Sequence, residues 1–594
     1  MNRTDILSGD ITLPQQIIEL VGTQYSEEMN SMFDAIVHAF IKNEGSVSAP
    51  YWSDRFNNKK VFNTFLLHLS KAGWITTTVE PHRNWAEISF NSNKLLKWVS
   101  KEEITTMREI IKLKKYLLEH VSYGNTSKTT KTPKGVKVVG HTRKGINKHT
   151  NSHLQFDTVM MYKYQDAITL NTTKGIRTLK LDHSLFTDKA HYEAIASACI
   201  QYYIEHPYAT YTLGTAISDS RGRAIYSCTS KVFNPIGFKD ARALMVTAPT
   251  VLTERAIERI QLAVAELLGD KSTTVLAKRA VGFKAINNST LLDLDLDTEE
   301  GRKDLHNNIW LERIYANWKE YPVTKQWIVP IELDQSASML QIEGVLLNST
   351  ELCNITNLVG NTLSDPWKVE GLAREQVKKV MTPTLYGSSA SAIELWDNAN
   401  IEFNMNDVKL INHELIHGPY AIANALKDYI INNVKPAAEM EVTVWNETFT
   451  VYCNKYKYKG DITSRYDVYN SKKGIVESIY HTSVHQVPDL EAFKRYFMTL
   501  LVHGIDSQIE NDIASALDWC IPIFDATVVN PVEAEVVENV FLSNMIRLNQ
   551  DRNTILSNYF KSIGITSQSA TQWKHVTSLV TPLKEFTPSA MSLK

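Results

Sequence analysis

The chain has 594 residues, 43% of them hydrophobic and 22% charged, which is the profile of a soluble globular protein and too long for a lone small binding module. Asp and Glu number 65 against 63 Lys and Arg, a net charge of −2, so any polyanion must be met by local basic surfaces rather than by a global field. Five scattered cysteines without a CxxC pair argue against a disulfide framework or a thiolate zinc site, and no apolar run approaches the ~20 residues a bilayer requires.

The opening Met-Asn-Arg-Thr-Asp-Ile-Leu has neither a signal-peptide core nor a basic presequence, so a cytoplasmic protein with no membrane partner is expected. Residues 1–120 read as a small helical domain. Glu27 to Lys42 and Lys60 to Ala72 carry apolar residues at helical spacing (Met32, Ile36, Phe40; Phe62, Phe65, Leu66, Leu69), and Ile104 to His120 forms a closing helix. Between them Trp74 to Val79 and Trp85 to Phe90 read as two strands around a Pro81-His-Arg-Asn turn. A winged helix and an ordinary small α/β domain both satisfy this pattern.

Residues 121–156 hold Lys128, Lys131, Lys134, Lys137, Arg143, Lys144 and Lys148 with Gly, Thr, Asn and Ser between them, which reads as a mobile basic linker or loop suited to phosphate contact. Asp293 to Glu300 lacks the Gly and Glu of a calcium loop and reads as a solvated turn.

Three segments carry chemistry. A buried-strand pattern, Trp327 to Leu333, runs into Asp334 and then a Ser-capped helix through Leu347. A second apolar strand, Cys520 to Phe524, meets Asp525 at the tip of a tight hairpin. Two such carboxylates suit a pair of Mg²⁺ ions beside phosphates, because Mg²⁺ takes few protein oxygens and completes its shell from substrate. Between them, Arg374 and Lys378 are spaced i, i+4 on one helical face, with Tyr386-Gly387 two turns on and Pro383 placed to kink the helix. That face offers a guanidinium, an ammonium and an aromatic ring to a nucleoside triphosphate.

Taken together and in order, these segments resemble the single-subunit RNA polymerase family of bacteriophages and mitochondria. Asp334-Gln-Ser-Ala-Ser-Met-Leu-Gln341 is similar to its first metal motif, Asp-x-Ser-x-Ser-Gly-x-Gln, and Arg374-x3-Lys378-x7-Tyr386-Gly387 to its fingers-helix motif. Asp219-Ser-Arg221-Gly222-Arg223, Asn234-Pro-Ile-Gly237, Val502-His503-Gly-Ile-Asp506 and Phe524-Asp525-Ala526 resemble further blocks of the family. The chain departs from it at Met339 (for Gly), at Phe524 (for His) and in the 40 residues from Asp334 to Arg374, a trimmed fingers segment.

The resemblance implies a helix-rich α+β right-hand polymerase. It divides the chain into thumb and first palm over 157–330, palm and fingers over 331–540, and a C-terminal palm extension over 541–594. It implies DNA-directed RNA synthesis with two Mg²⁺ ions held by Asp334 and Asp525. Lys378 and Tyr386 join these as catalytic residues, and Arg374, Lys378, Tyr386, Gly387 and His503 bind the nucleotide. Arg221 and Arg223 meet the nucleic-acid backbone. The partners implied are a DNA template, an RNA product and rNTPs, with an accessory promoter-recognition or single-stranded-DNA-binding protein. A phage enzyme in its host's cytoplasm fits the missing presequence. At the place of the family's promoter-specificity loop, the hairpin Glu441 to Tyr452 leads into the basic, aromatic Lys455-Tyr-Lys457-Tyr-Lys459, a nucleic-acid contact.

Three rivals compete with this reading: a family A-type DNA polymerase or primase-like enzyme, a zinc metallopeptidase, and a non-catalytic nucleic-acid-binding protein with a winged helix and a degenerate polymerase domain, against which the presence of both aspartates and Lys378 argues. Family A DNA polymerases share both aspartates and the Arg-Lys-Tyr-Gly spacing. They resemble Asp-Tyr-Ser-Gln-Ile-Glu at the first motif, where this chain has Met339, and usually carry Phe where it has Thr382. His413-Glu414-Leu-Ile-His417 is a literal HExxH with Glu439 or Glu441 as a third zinc ligand. It lies on a helix expected from Val408 to Ile431 and reads as a coincidence within the polymerase pattern.

Overall fold

The computed structural model describes residues 46–48, 65, 69–80, 85–90, 121–122, 144–150, 152–178, 189–214, 216–218, 221, 223–228, 232–360, 362–453, 455–470, 475–566, 570–589 and 593. These fall into two compact units, one from Met1–Val121 and Ser230–Val232, the other from Ser122–Thr229 and Phe233–Lys594. The fold is helix-rich α+β with small sheets.

In the first unit, strands β1 (Ser46–Ser48), β2 (Ile75–Glu80) and β3 (Trp85–Phe90) form an antiparallel sheet in the order β1-β3-β2, with Ile75 opposite Phe90. The two expected strands are therefore joined by a third. Phe65 and Leu69 are fully buried, as their helical spacing predicted. The expected helices over 27–42 and 104–120 lie outside the described residues, as does the Pro81 turn.

The second unit opens with α1 (Lys144–Thr150) and strands β4 (Ala216–Ser218) and β5 (Ala224–Cys228). Helices α2 (Glu254–Leu267), α3 (Val275–Asn288) and α4 (Leu305–Thr324) follow. Strand β6 (Ile331–Asp334) leads into α5 (Ser338–Leu347), and three further helices are α6 (Arg374–Leu385), α7 (Met405–His417) and α8 (Tyr420–Asn433). Next come the hairpin β7 (Glu439–Val444) and β8 (Glu447–Tyr452), the long ribbon β9 (Tyr456–Asn470) and β10 (Ile475–Pro488), and helix α9 (Tyr496–Ala516). The hairpin β11 (Cys520–Ile523) and β12 (Ala526–Val529) and the 29-residue α10 (Ala534–Ser562) complete the elements used below.

Strands β11, β12 and β6 form one antiparallel sheet with β12 in the middle. Every residue of β11 and β12 is buried, which explains their continuous apolar runs: covered on both faces, they need no polar alternation. Each Val or Ile so buried contributes ~1.5–3 kcal/mol. Pro522 is tolerated because β11 is the edge strand, where a missing N–H leaves no gap in the ladder. Helix α9 is buried on all sides from Leu500 to Glu510 and forms the spine of this unit.

The basic segment differs from the linker expected of it where it is described. Residues 144–150 are the helix α1, packed at the C-terminal end of α9. Lys148 Nζ donates to the Leu517 carbonyl (2.6 Å), and His149 Nε2 bonds that of Ala514 (2.7 Å). These two side chains thus satisfy carbonyls that a helix end leaves open, at the negative pole of its dipole. Lys128 to Arg143 lie outside the described residues.

Candidate active site

The sheet register brings the two aspartates together. Ile523 pairs with Ala526, leaving Phe524 and Asp525 as a two-residue turn, and Ala526 pairs in turn with Asp334. Asp525 thus lies in a turn beside the end of β6. The Gln335 N–H donates to the Asp525 carbonyl (3.1 Å), and Ser338 Oγ donates to its carboxylate (3.3 Å). Phe524 adopts a positive φ of 56°, a left-handed conformation that costs a bulky residue ~1–2 kcal/mol. The Arg223 guanidinium lies 5.0 Å from its ring centroid.

Helix α5 begins without the expected serine cap. Ala337, at φ 63°, occupies the cap position and makes no side-chain bond, while Ser338 is turned to Asp525 instead.

A cleft of about 460 Å³ opens beside Asp334, with Lys239, Lys271, His306, Asp365 and Arg374 in its walls. The Asp334 carboxylate opens onto it but is ringed by protein. Restricted hydration first, then repulsion from Asp525 and Glu332, pushes its pKa well above the ordinary range, against the pull of Lys378 and Arg242. Burial likewise holds His306 neutral, with a pKa lowered to about 3.

Helix α6 presents Arg374 and Lys378 on its exposed face, while Val377, Val380 and Met381 are buried. Arg374 Nε donates to Asp365 (2.9 Å). The helix runs through Pro383, which falls in its last turn, and stops at Tyr386. Gly387 has φ 94°; its N–H donates to Thr384, and that of Ser388 to Pro383, the Schellman ending that only glycine adopts without strain. Gly387, expected to bind the nucleotide, is buried and ends the helix.

The Tyr386 ring meets His503 edge-on at 5.1 Å. Burial raises the Tyr386 hydroxyl pKa, and burial followed by the charges of Arg223 and Arg221 drives that of His503 well down, so its imidazole is neutral. Three residues from His503, one helical turn on, is Asp506, 1% exposed. It accepts from Arg223 (3.3 Å) and from Gln335 Nε2 (3.2 Å). Burial, against the pull of Arg223, raises its pKa. Arg223, expected at the nucleic-acid backbone, is bound to Asp506 and lies against Phe524. Arg221 is partly exposed, and Asp219 and Gly222 lie outside the described residues.

The structure thus gathers Asp334, Asp525, Lys378, Arg374, Tyr386 and His503 about one sheet edge. Lys455, Lys457 and Lys459 are exposed at the root of the β9–β10 ribbon, where Tyr456 pairs with Pro488. Among the described residues, no bond ties these three side chains to the carboxylates. Sequence reasoning gave no role to Asp506, Gln335 or Glu343. The i, i+3 spacing from His503 was a signal for the first. Glu343, on α5, is fully buried with neither carboxylate oxygen bonded, and burial, opposed by Lys427, lifts its pKa to about 8.

The HExxH segment ends α7 rather than lying in one helix to Ile431, because the chain breaks at Gly418-Pro419 before α8. The His413 and His417 rings face each other at 4.7 Å, with the His413 side chain 64% exposed. No group of three or more His, Cys, Asp or Glu that could hold a metal ion occurs among the described residues. Nor is any helix among them long and apolar enough to cross a membrane.

No protein-family model matches the chain, and none of the curated proteins matches it.

Proposed function

We propose that this protein is a DNA-directed RNA polymerase of the single-subunit type, a right-hand enzyme that extends RNA on a DNA template from rNTPs. In this reading the β11-β12-β6 sheet is the palm, and α6 belongs to the fingers. The observation that carries the reading is the pairing of Ala526 with Asp334, which seats two carboxylates side by side with the Lys378 charge acting on one of them.

The residues fit divalent metal. The donors are the carboxylate of Asp334, in the wall of the cleft, and that of Asp525 beside it; burial first, then repulsion from Asp525, raises the pKa of Asp334, a cost that a shared cation relieves. When bound by Asp334 and Asp525, two Mg²⁺ ions supply activation of the RNA 3′-hydroxyl and neutralisation of the leaving pyrophosphate.

The chain's own residues do the rest. Lys378 holds the triphosphate and gives a proton to the leaving group. Arg374 grips the same phosphates once it exchanges Asp365 for them. Tyr386, braced on His503, closes over the incoming base pair. His503, kept neutral, exchanges a hydrogen bond with the ribose 2′-hydroxyl without a charge to solvate. Lys455, Lys457 and Lys459, interleaved with exposed Tyr456 and Tyr458, meet the template. An accessory factor finds promoters, and the enzyme works in the cytoplasm of a phage host.

The test is primer extension on single-stranded DNA with Mg²⁺. Incorporation of rNTPs in clear preference to dNTPs is expected; a preference for dNTPs overturns the reading in favour of a family A-type DNA polymerase.

A further inference from the structure

Three parts of the second unit meet at one buried carboxylate. Asp506 sits on α9, the buried spine of the unit, and is itself 1% exposed. One oxygen, Oδ1, accepts from Gln335 Nε2 at 3.2 Å, on the loop that leaves Asp334. The other, Oδ2, accepts from Arg223 at 3.3 Å, and that guanidinium stacks 5.0 Å from the Phe524 ring in the turn that carries Asp525. The Gln335 N–H closes the circuit on the Asp525 carbonyl (3.1 Å). Both aspartate-bearing loops are thus fastened, by one bond or by one ion pair and one ring contact, to the same side chain.

The loops need such fastening. Phe524 and Ala337 both hold positive φ, conformations that persist only where the surroundings over-determine them. The ladder closes the turn at Ile523–Ala526, and Gln335 bridges Leu593 beyond β6, but neither backbone pairing ties these loops to α9; the bonds at Asp506 do. A carboxylate buried among these groups is costly unless it is paired; here one partner, Gln335, lies on the loop after Asp334, and the other, Arg223, contacts the Phe524 ring.

We propose that Asp506 is the positioning residue of the metal pair: it sets the separation and direction of the Asp334 and Asp525 carboxylates, through Gln335 on one side and through Arg223 and Phe524 on the other. This rests on reading those two aspartates as the metal ligands. Asp506 itself does not touch the metal or the nucleotide, so its loss moves metal affinity and turnover rather than nucleotide affinity.

The test uses the full-length protein and two variants. Asp506→Asn keeps the acceptor for Gln335 but removes the charge facing Arg223; Gln335→Met removes only the tie from Asp506 to the loop after Asp334. Mn²⁺ binding is followed by electron paramagnetic resonance, with Asp334→Asn and Asp525→Asn marking the signal due to the pair. rNTP incorporation is measured alongside. We expect Asp506→Asn to weaken Mn²⁺ at the pair about tenfold and lower kcat similarly, with KM for rNTP within about twofold, and Gln335→Met to act in the same direction by about threefold.

Unchanged Mn²⁺ affinity in both variants overturns the inference, as does a KM effect larger than that on kcat. If Asp506→Asn fails to fold, Gln335→Met decides by the same criteria. A wild-type protein that binds Mn²⁺ at the pair yet makes no RNA sinks the polymerase reading, while the variants' affinities still judge this inference. If the wild-type signal equals that of the aspartate variants, both fall.

Discussion

The Asp334–Asp525 centre and the His413–His417 pair both present ligand-type side chains in a recognised pattern, and they are built in opposite ways. The histidines are one helical turn apart on α7, so helix geometry alone puts their rings 4.7 Å apart, and the His413 side chain is 64% exposed. The aspartates lie far apart in sequence and meet only because β12 pairs with β6. Around them stand Lys378, Arg223, Asp506, Tyr386 and His503, several buried and acting on one another's charge. A local pattern supplies two ligands and nothing else. A reactive centre needs several elements to converge, so that neighbours tune protonation and fix direction.

Substitutions at the two places break or sharpen this contrast. The largest effect is expected at the aspartates: Asp334→Asn or Asp525→Asn lowers rNTP incorporation by on the order of a thousandfold, ~4 kcal/mol of transition-state stabilisation. Template binding in a gel-shift assay stays within about threefold, and His413→Ala leaves incorporation within about twofold. The opposite ranking, with activity lost in His413→Ala together with stoichiometric zinc, transfers the chemistry to α7.

Next in size, Lys378→Ala raises the KM for rNTP by about tenfold, and Arg374→Ala by only about threefold, because Arg374 already has Asp365 as a partner. Steady-state kinetics at saturating template separates the two. An equal effect removes the distinction between a free cation and a paired one.

The last effect is one on stability and leaves catalysis aside; it concerns Glu343, a buried group of the same unit. Its folded pKa, about 8, lies above the ordinary carboxyl value, so the folded state holds a proton that the unfolded chain gives up. Stability is therefore unaffected below the unfolded pKa and falls as pH rises from there toward 8. Glu343→Gln removes this penalty. Its melting temperature, relative to wild type, is expected to rise between pH 5 and pH 8.5, by an amount equivalent to at most ~4 kcal/mol at about 1.4 kcal/mol per pK unit. A difference independent of pH excludes the account.

Much of the centre was legible in the chain. The apolar runs ending at Asp334 and Asp525 marked both strand ends, and the Arg374–Lys378 spacing marked one exposed face of α6. Gly387 was legible as a residue, but its part in ending the helix was not. Only the bonds from Gly387 and Ser388 to Thr384 and Pro383 show it ending a helix. The partner of Arg223 was hidden for a related reason: sequence shows that a cation is present, not that a carboxylate 283 residues away pairs with it. Lys148 and His149 repeat the lesson, since a basic run reads as solvated until a helix end is found to need its donors.

The chain by itself marked the strands that end at Asp334 and Asp525, the exposed face of α6 and the side chains that are chemically able, because periodicity, turn residues and charge act over a few neighbouring positions. Tertiary structure alone decided that the two aspartates share an edge, that Asp506 joins their loops, and that the two histidines remain on the surface. Those outcomes depend on the register between distant strands and on desolvation, both of which arise only when remote segments exclude water from one another.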